Sequence, residues 1–182
     1  FGAELSAERV KLVDDLNPYV AEHYRNLNEV KPASISYKSS TEGLTADISE
    51  NVAILQERAV EVLRQEIDRG ASLIGPHRDD LHLQLGDFPA KGYASHGESW
   101  SMAIALRIGS YTLLKSEGAD PVLILDDIFA ELDNQRRQQL TAVTQFAEQT
   151  IITTAVESDL PPELLSAKFY VSPGSVSSER RE

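Results

Sequence analysis

No cysteine occurs in the 182 residues, which excludes a disulfide scaffold, a thiolate zinc site and a cysteine nucleophile together. Cationic side chains are scarce as well: 17 Lys and Arg stand against 29 Asp and Glu, a formal net charge of -12. Affinity for nucleic acid draws mainly on cations that displace counterions from phosphates, so a chain this acidic is not expected to grip DNA strongly by itself. Long apolar runs are lacking. The run Val122 to Leu125 is among the longest, and it falls far short of the ~18 residues of a membrane span. No basic-apolar signal segment opens the chain. Aromatics amount to only 7%, yet an apolar share of 41% can fill a core and excludes a fully disordered chain. Two catalytic signatures are missing: the Gly-x-x-x-x-Gly-Lys-Ser/Thr loop that wraps the phosphates of a nucleotide, and the Gly-x-Ser-x-Gly elbow. His23, His77, His82 and His96 are scattered, so neither a serine hydrolase nor a zinc enzyme has support. The chain opens at Phe1 inside a pattern that already reads as helix, which predicts a fragment of a longer intracellular protein.

What is present changes texture near residue 70. Leu5, Val10, Leu12, Val13, Leu16, Val20, Tyr24 and Leu27 recur mostly at three- and four-residue steps, predicting a helix from Glu4 to Leu27 that Asn17-Pro18 kinks or restarts. A short strand, Ser34 to Lys38, and a turn follow. Val52, Leu55, Ala59, Val62 and Leu63 predict a second helix from Asn51 to Arg69, with Gly70 placed to end it. Beyond it come strand-like pieces at Ser72 to Ile74, Leu81 to Leu85 and Phe88 to Ala94, then a helix from Glu98 to Ser116. Val122-Leu123-Ile124-Leu125 reads as a strand buried on both faces of a parallel sheet. A helix from Asn134 to Gln149 and strands at Thr150 to Thr154 and Lys168 to Val171 complete an α/β order. The expected domains are a helical portion over 1–70, an α/β lobe over 71–171 and a disordered tail over 172–182.

Four motifs carry chemistry. The strand Val122 to Leu125 ends in Asp126-Asp127, and carboxylates at the carboxyl end of an α/β sheet sit where ligands bind. Neighbouring strand residues face opposite sides, so one acid can hold Mg²⁺ while the other orients or deprotonates a water. Ser95-His96-Gly97-Glu98 opens a helix, where freed amides and the dipole favour an anion. Glu131-Leu132-Asp133 precedes the Asn134 helix, and Gly75 to Asp80 gathers His77, Asp79 and Asp80 around Arg78. Each also has a plain structural reading. The acidic pair can begin a turn, Ser95 and Asp133 can be N-caps, and Gly75 to Asp80 can be a salt-bridged turn rather than a metal site.

In this order the motifs resemble the C-terminal half of an ABC-type ATPase head, and more sharply the RecF family of DNA replication and repair proteins. The resemblance rests on Gly75-Pro76-His77-Arg78-Asp79-Asp80-Leu81, Pro89 through Glu98, and Asp120 through Asp133 with Arg136-Arg137. It covers about Arg69 to Ala155; the preceding segment looks like part of the family's helical arm or lid. The implied fold is the C-terminal lobe of an ABC-type ATPase head with a small helical arm portion. Implied roles follow the motifs. Ser95, His96, Gly97 and Glu98 match the signature motif that reaches across a dimer to the γ-phosphate of ATP. Asp126 matches the Mg²⁺ carboxylate, Asp127 stands at the catalytic glutamate, and Asp133 lies in the loop along the dimer seam. His96 replaces the usual glycine of transporters, Thr153-Thr154-Ala155 replaces a switch histidine, and Asp127 is one methylene shorter than glutamate. These departures imply slow hydrolysis, a switch rather than a motor. The family further implies single-stranded or gapped duplex DNA, an ATP-dependent homodimer and RecR/RecO-type mediators as partners. It places the protein in the bacterial cytoplasm, associated with the nucleoid. Alternatives are another ABC-type head, such as a transporter, a non-catalytic interaction fragment, or a Mg²⁺-dependent phosphohydrolase using Asp126 and Asp127.

Overall fold

The computed structural model describes residues 1–27, 31–164 and 167–178, without the side chain of residue 131. Two compact units result, Phe1–Gly118 and Ala119–Glu182. The change of texture near residue 70 falls inside the first unit, where strands from either side of it pair.

In the first unit, helix α1 (Gly2–Leu27) buries Val13, Leu16, Val20, Tyr24 and Leu27 along one stripe and runs as one element through Pro18. A proline inside a helix removes one backbone bond and crowds the preceding turn, at a cost of ~3 kcal/mol. Burial of four large apolar side chains around it, each worth roughly 1.5–3 kcal/mol, offsets that. The neighbouring Asn17 is used elsewhere: its Oδ1 accepts from the Ile35 amide at 2.8 Å, tying α1 to strand β1 (Ala33–Lys38). β1 pairs antiparallel with β2 (Asp80–Leu85), Ile35 opposite Leu83, and β2 pairs with β3 (Phe88–Pro89). The strand expected to reach Ala94 stops at Pro89, which lacks an N–H for the ladder, and the chain enters a single helical turn, α3 (Ala90–Tyr93). No strand forms over Ser72 to Ile74. There the Leu73 amide donates to Glu66 Oε1 at 2.7 Å and Ser72 O accepts from Arg78 Nε at 2.9 Å, so side chains take the groups a strand would need.

Helix α2 (Ile48–Arg69) starts three residues before the expected Asn51, because Asp47 caps it by accepting from the Glu50 amide at 3.0 Å. Gly70, at φ 61°, ends it in the left-handed conformation that glycine adopts without a Cβ penalty. Asn51 is buried instead, and its amide group exchanges hydrogen bonds with Thr45 N and O at 2.8 and 2.7 Å, pinning the loop before the helix. Of the apolar face read from the sequence only Val62 is buried; Val52 and Leu63 are exposed.

Helix α4 (His96–Ser116) is the centre of this unit. Its Met102, Ile104, Ala105, Ile108, Tyr111 and Leu113 are buried, and it packs along α1. A Cβ at Gly109 would lie 3.1 Å from Val20 Cγ2 and 3.2 Å from the Val20 amide nitrogen, so the missing side chain sets the helix separation. His23 Nε2 meets Thr112 Oγ1 at 2.9 Å across the same seam, and Thr112 Oγ1 itself donates to Ile108 O. Nε2 is therefore the donor. Burial lowers the His23 pKa, with nearby Glu22 acting the other way, which suits a neutral ring.

In the second unit, β4 (Leu123–Asp126) and β5 (Thr150–Thr153) are parallel neighbours joined through α5 (Asn134–Thr144), a strand–helix–strand crossover. Leu123 and Leu125 are buried, but Ile124 is 64% exposed and its cross-strand partner Ile151 is 45% exposed. Burial on both faces is thus corrected: successive residues face opposite sides, and one face of this two-stranded sheet is open. α5 ends five residues before the expected Gln149. Phe146 N donates to Val143 O and Ala147 N to Thr144 O, three-residue closures that tighten the last turn and stop the helix. The final segment is a hairpin of β6 (Tyr170–Ser172) and β7 (Ser175–Ser177), with Val171 opposite Val176 across a Pro173-Gly174 turn. Disorder expected from Ser172 onward gives way to that pairing as far as Ser177; residues 179–182 of the expected tail lie outside the described residues.

Candidate functional site

The helix mouth in the first unit is built by α4. Ser95 sits at φ −64°, ψ 166°, extended just before the first turn, and its Oγ accepts from the Glu98 amide at 3.2 Å. Glu98 reciprocates, its Oε2 accepting from Ser95 N at 2.8 Å, which completes a capping box. The other carboxylate oxygen, Oε1, takes a hydrogen bond from Lys31 Nζ at 2.7 Å. Lys31, and then the Ser95 amide and hydroxyl, lower the Glu98 pKa to about 2. Lys31 thereby balances the charge of Glu98 at this helix mouth. The amides of His96 and Gly97, first-turn groups without an intrahelical acceptor, remain available to an external anion. His96 is exposed, and its Nε2 lies 2.9 Å from Trp100 Nε1 one turn further on. The four residues expected to act together are therefore contiguous on one structured helix start. Sequence reasoning missed Lys31 and Trp100. Trp100 carried a signal, its position four residues after His96; Lys31, 67 residues from Glu98, carried none.

In the second unit, β4 delivers Asp126 to its end, beside Thr153 in the parallel register. Thr153 Oγ1 donates to Asp126 Oδ1 and accepts from the Asp127 amide at 3.1 Å; the same amide lies 3.1 Å from Thr153 O. Asp126 is exposed, with one oxygen held by the threonine and the other free of protein donors among the described residues. Such a carboxylate is the oxygen donor a hard cation takes. Asp127 has left the strand. At φ 52°, ψ 20° it is the one non-glycine residue with positive φ among those described. The chain therefore leaves the strand in a left-handed turn at Asp127 instead of continuing the alternation of β4. Thr153, which by resemblance stands where a switch histidine is usual, is made the clamp of the acidic pair by the parallel register.

Asp133 is the N-cap of α5. Its Oδ1 accepts from Arg136 N at 2.9 Å, and its Oδ2 pairs with Arg136 Nη1 at 2.6 Å. Arg137 Nε donates to Leu132 O at 2.9 Å, so the arginine pair fixes the loop between the acidic strand end and α5.

Gly75 to Asp80 forms a hydrogen-bonded turn rather than a salt-bridged one. Asp79 accepts from Tyr37 OH, from Ser39 Oγ at 3.1 Å and from Ser40 N at 2.7 Å, while Arg78 points to Ser72 O. Burial pushes the Asp79 pKa up, but the bonds from Ser40, Tyr37 and Ser39 outweigh it, and the net shift is downward. Arg9 Nη1 donates to Pro76 O at 2.7 Å and closes the turn onto α1. Among the described residues no His, Asp and Glu gather into a metal-binding cluster, and no helix is long and apolar enough to cross a membrane.

No family model matches the chain. Curated relatives do, among them two described as DNA replication and repair protein RecF. That of Rhodococcus erythropolis is 52% identical over 184 residues, covering 93% of this chain and 45% of the relative. That of Beutenbergia cavernae is 47% identical over 197 residues, covering 96% of this chain and 50% of the relative. The chain spans about half the length of the curated relatives it matches. Among solved structures, the recombination mediator protein RecF-ATPrS in the RecFOR pathway superposes with a TM-score of 0.79 at 23% identity, over 96% of this chain and 46% of that one. The RecF-ATP structure of the same pathway gives 0.72 at 22% identity, over 86% and 42%. The structural likeness shows the fold expected for the chain, and the identities near one half over more than nine-tenths of its length show that this chain belongs to the RecF family.

Proposed function

We propose that the chain is part of an ATP-dependent DNA-binding protein of RecF type, acting in recombinational repair and replication restart through ATP-gated dimerisation and slow hydrolysis. The observation that carries this reading is the 52% identity over 93% of the chain to a protein described as DNA replication and repair protein RecF. The geometry supports a division of roles. Ser95, His96 and Gly97 offer a hydroxyl and first-turn amides to the γ-phosphate of ATP held by a second copy, with Glu98 and Lys31 bracing the turn. Asp126, steadied by Thr153, is the Mg²⁺ carboxylate. Asp127, turned out of the strand, orients the attacking water. Asp133 and Arg136 stiffen the loop assigned to the dimer seam. Mg²⁺ bound to ATP would supply charge neutralisation on the phosphates. DNA, single-stranded or gapped, and RecR/RecO-type mediators are the partners this function needs, in a bacterial cytoplasm.

The test is Ser95→Arg in the intact protein. A guanidinium at the helix mouth fills the space for the γ-phosphate and breaks the capping box, so ATP-dependent dimerisation measured by light scattering should be lost while ATP binding persists. An undiminished dimer removes Ser95 from the contact. In parallel, Asp127→Asn should accumulate the ATP-bound dimer with turnover down ~10²-fold or more, the scale of a lost general base. Asp126→Asn should fail to form that dimer. Identical behaviour of the two variants overturns the division.

A further inference from the structure

We infer that Trp100 is a positioning residue for the mouth of α4: its indole N–H holds the neutral His96 imidazole in the Nδ1–H tautomer, leaving His96 a donor toward a phosphate oxygen. The inference deepens the reading of Ser95 to Gly97 as a phosphate contact and rests on it. Its geometry is local. Trp100 Nε1 lies 2.9 Å from His96 Nε2, one helical turn away, with the rings edge to face at 6.3 Å and 80°. An indole nitrogen only donates. The imidazole nitrogen facing it must therefore accept, and in the neutral ring the proton then sits on Nδ1. Nδ1 makes no hydrogen bond within the described residues, and the exposed imidazole belongs to the first residue of the helix. The opposite tautomer would present a bare lone pair there, which repels an anion instead of binding it. Where a transporter has glycine at this position, and hence only a backbone amide, this chain has an imidazole whose orientation and proton are set from one turn away. A half-buried tryptophan is well suited to that task, because its ring can be anchored while its N–H stays at the surface.

Two readouts in the intact protein separate this inference from the reading beneath it. With ¹⁵N-labelled histidine, and His96→Asn to assign the signal, the wild type should show a protonated Nδ1 and a bare Nε2. Trp100→Phe, which keeps a ring but loses the donor, should shift His96 to the Nε2–H form favoured by a free imidazole side chain. Trp100→Lys, whose ammonium like the indole N–H can only donate, should bring the original pattern back. A wild-type His96 in the Nε2–H form, or an unchanged tautomer in a folded Trp100→Phe, overturns the inference whatever the dimer does. The second readout is the ATP concentration for half-maximal dimerisation. It should rise about tenfold in Trp100→Phe, as expected for one charge-assisted hydrogen bond. In a His96→Asn background the same change should add nothing. An equal further loss there means that Trp100 acts through packing, which also overturns the inference. If Trp100→Phe does not fold, the tautomer of wild-type His96 and the Trp100→Lys variant still decide it. Failure of Ser95→Arg to block the dimer, by contrast, strikes the phosphate contact itself and leaves the tautomer result standing.

Discussion

At the scale of single residues, the start of α4 couples a helix cap to an ion pair, and the coupling is titratable. Glu98 has an ordinary value of 4.5 and is held at about 2 by Lys31 and Ser95. A group depressed on folding contributes stability that is fully present above its unfolded value and is lost as pH falls through the folded one. Glu98→Gln should therefore lower stability by a constant amount above pH 4.5, and the gap to wild type should close as pH approaches 2; urea midpoints across that range check it. A gap that persists at pH 2 means the side chain acts by shape alone. Asp127 shows the opposite economy, being kept in a conformation that disfavours it. A left-handed non-glycine residue costs roughly 1–2 kcal/mol, and strain of this kind gathers at functional positions. Asp127→Gly should raise the melting temperature of the intact protein while stopping hydrolysis. A variant that is less stable as well as inactive would show that the carboxylate, not the backbone, dominates the local energy.

At the scale of elements, what could be read from the sequence depended on whether the deciding partner was local. α2 was legible because Gly70 stops it, and α4 because Ser95 and Glu98 cap it within four residues. The acidic end of β4 stood out for the same reason. The passage of α1 through Pro18 was not legible, since its compensation comes from α4 packing, some 90 residues away in sequence. The failed strand at Ser72 to Ile74 was decided by Glu66 and Arg78, and the clamp at Asp126 by Thr153, each outside the pattern that alternation detects. The α1–α4 seam also yields a sharp prediction. Gly109→Ala improves helix propensity by up to ~1 kcal/mol. The new methyl would, however, meet Val20, including its backbone nitrogen at 3.2 Å, which cannot swing aside like a side-chain end. Overpacking of this sort costs ~1–3 kcal/mol. A net loss of stability is expected in thermal melts, and a gain would mean that the helices can separate freely.

At the scale of the whole molecule, charge and the missing phosphate loop bound what these 182 residues are expected to bind. A net charge of -12 gives these residues little means of releasing counterions from DNA. In mobility shifts near ~0.15 M salt, this chain by itself should leave a gapped duplex unbound at micromolar concentration. Tight binding would place a DNA surface within it. ATP poses a stricter problem. A nucleotide presents a base, a sugar and a chain of phosphates, and tight binding needs contacts along all of them. In the proposed reading the mouth of α4 meets only the terminal phosphate, from across a dimer, and Asp126 meets the metal rather than the nucleotide. Neither can substitute for a loop whose backbone amides wrap the β- and γ-phosphates. The 182-residue chain alone should therefore bind Mg²⁺-ATP weakly or not at all by calorimetry, while remaining folded by circular dichroism. Sub-micromolar binding by a verified monomer would mean that a complete nucleotide site lies within these residues. In that case the trans-acting role assigned to Ser95, His96 and Gly97 would have to be given up.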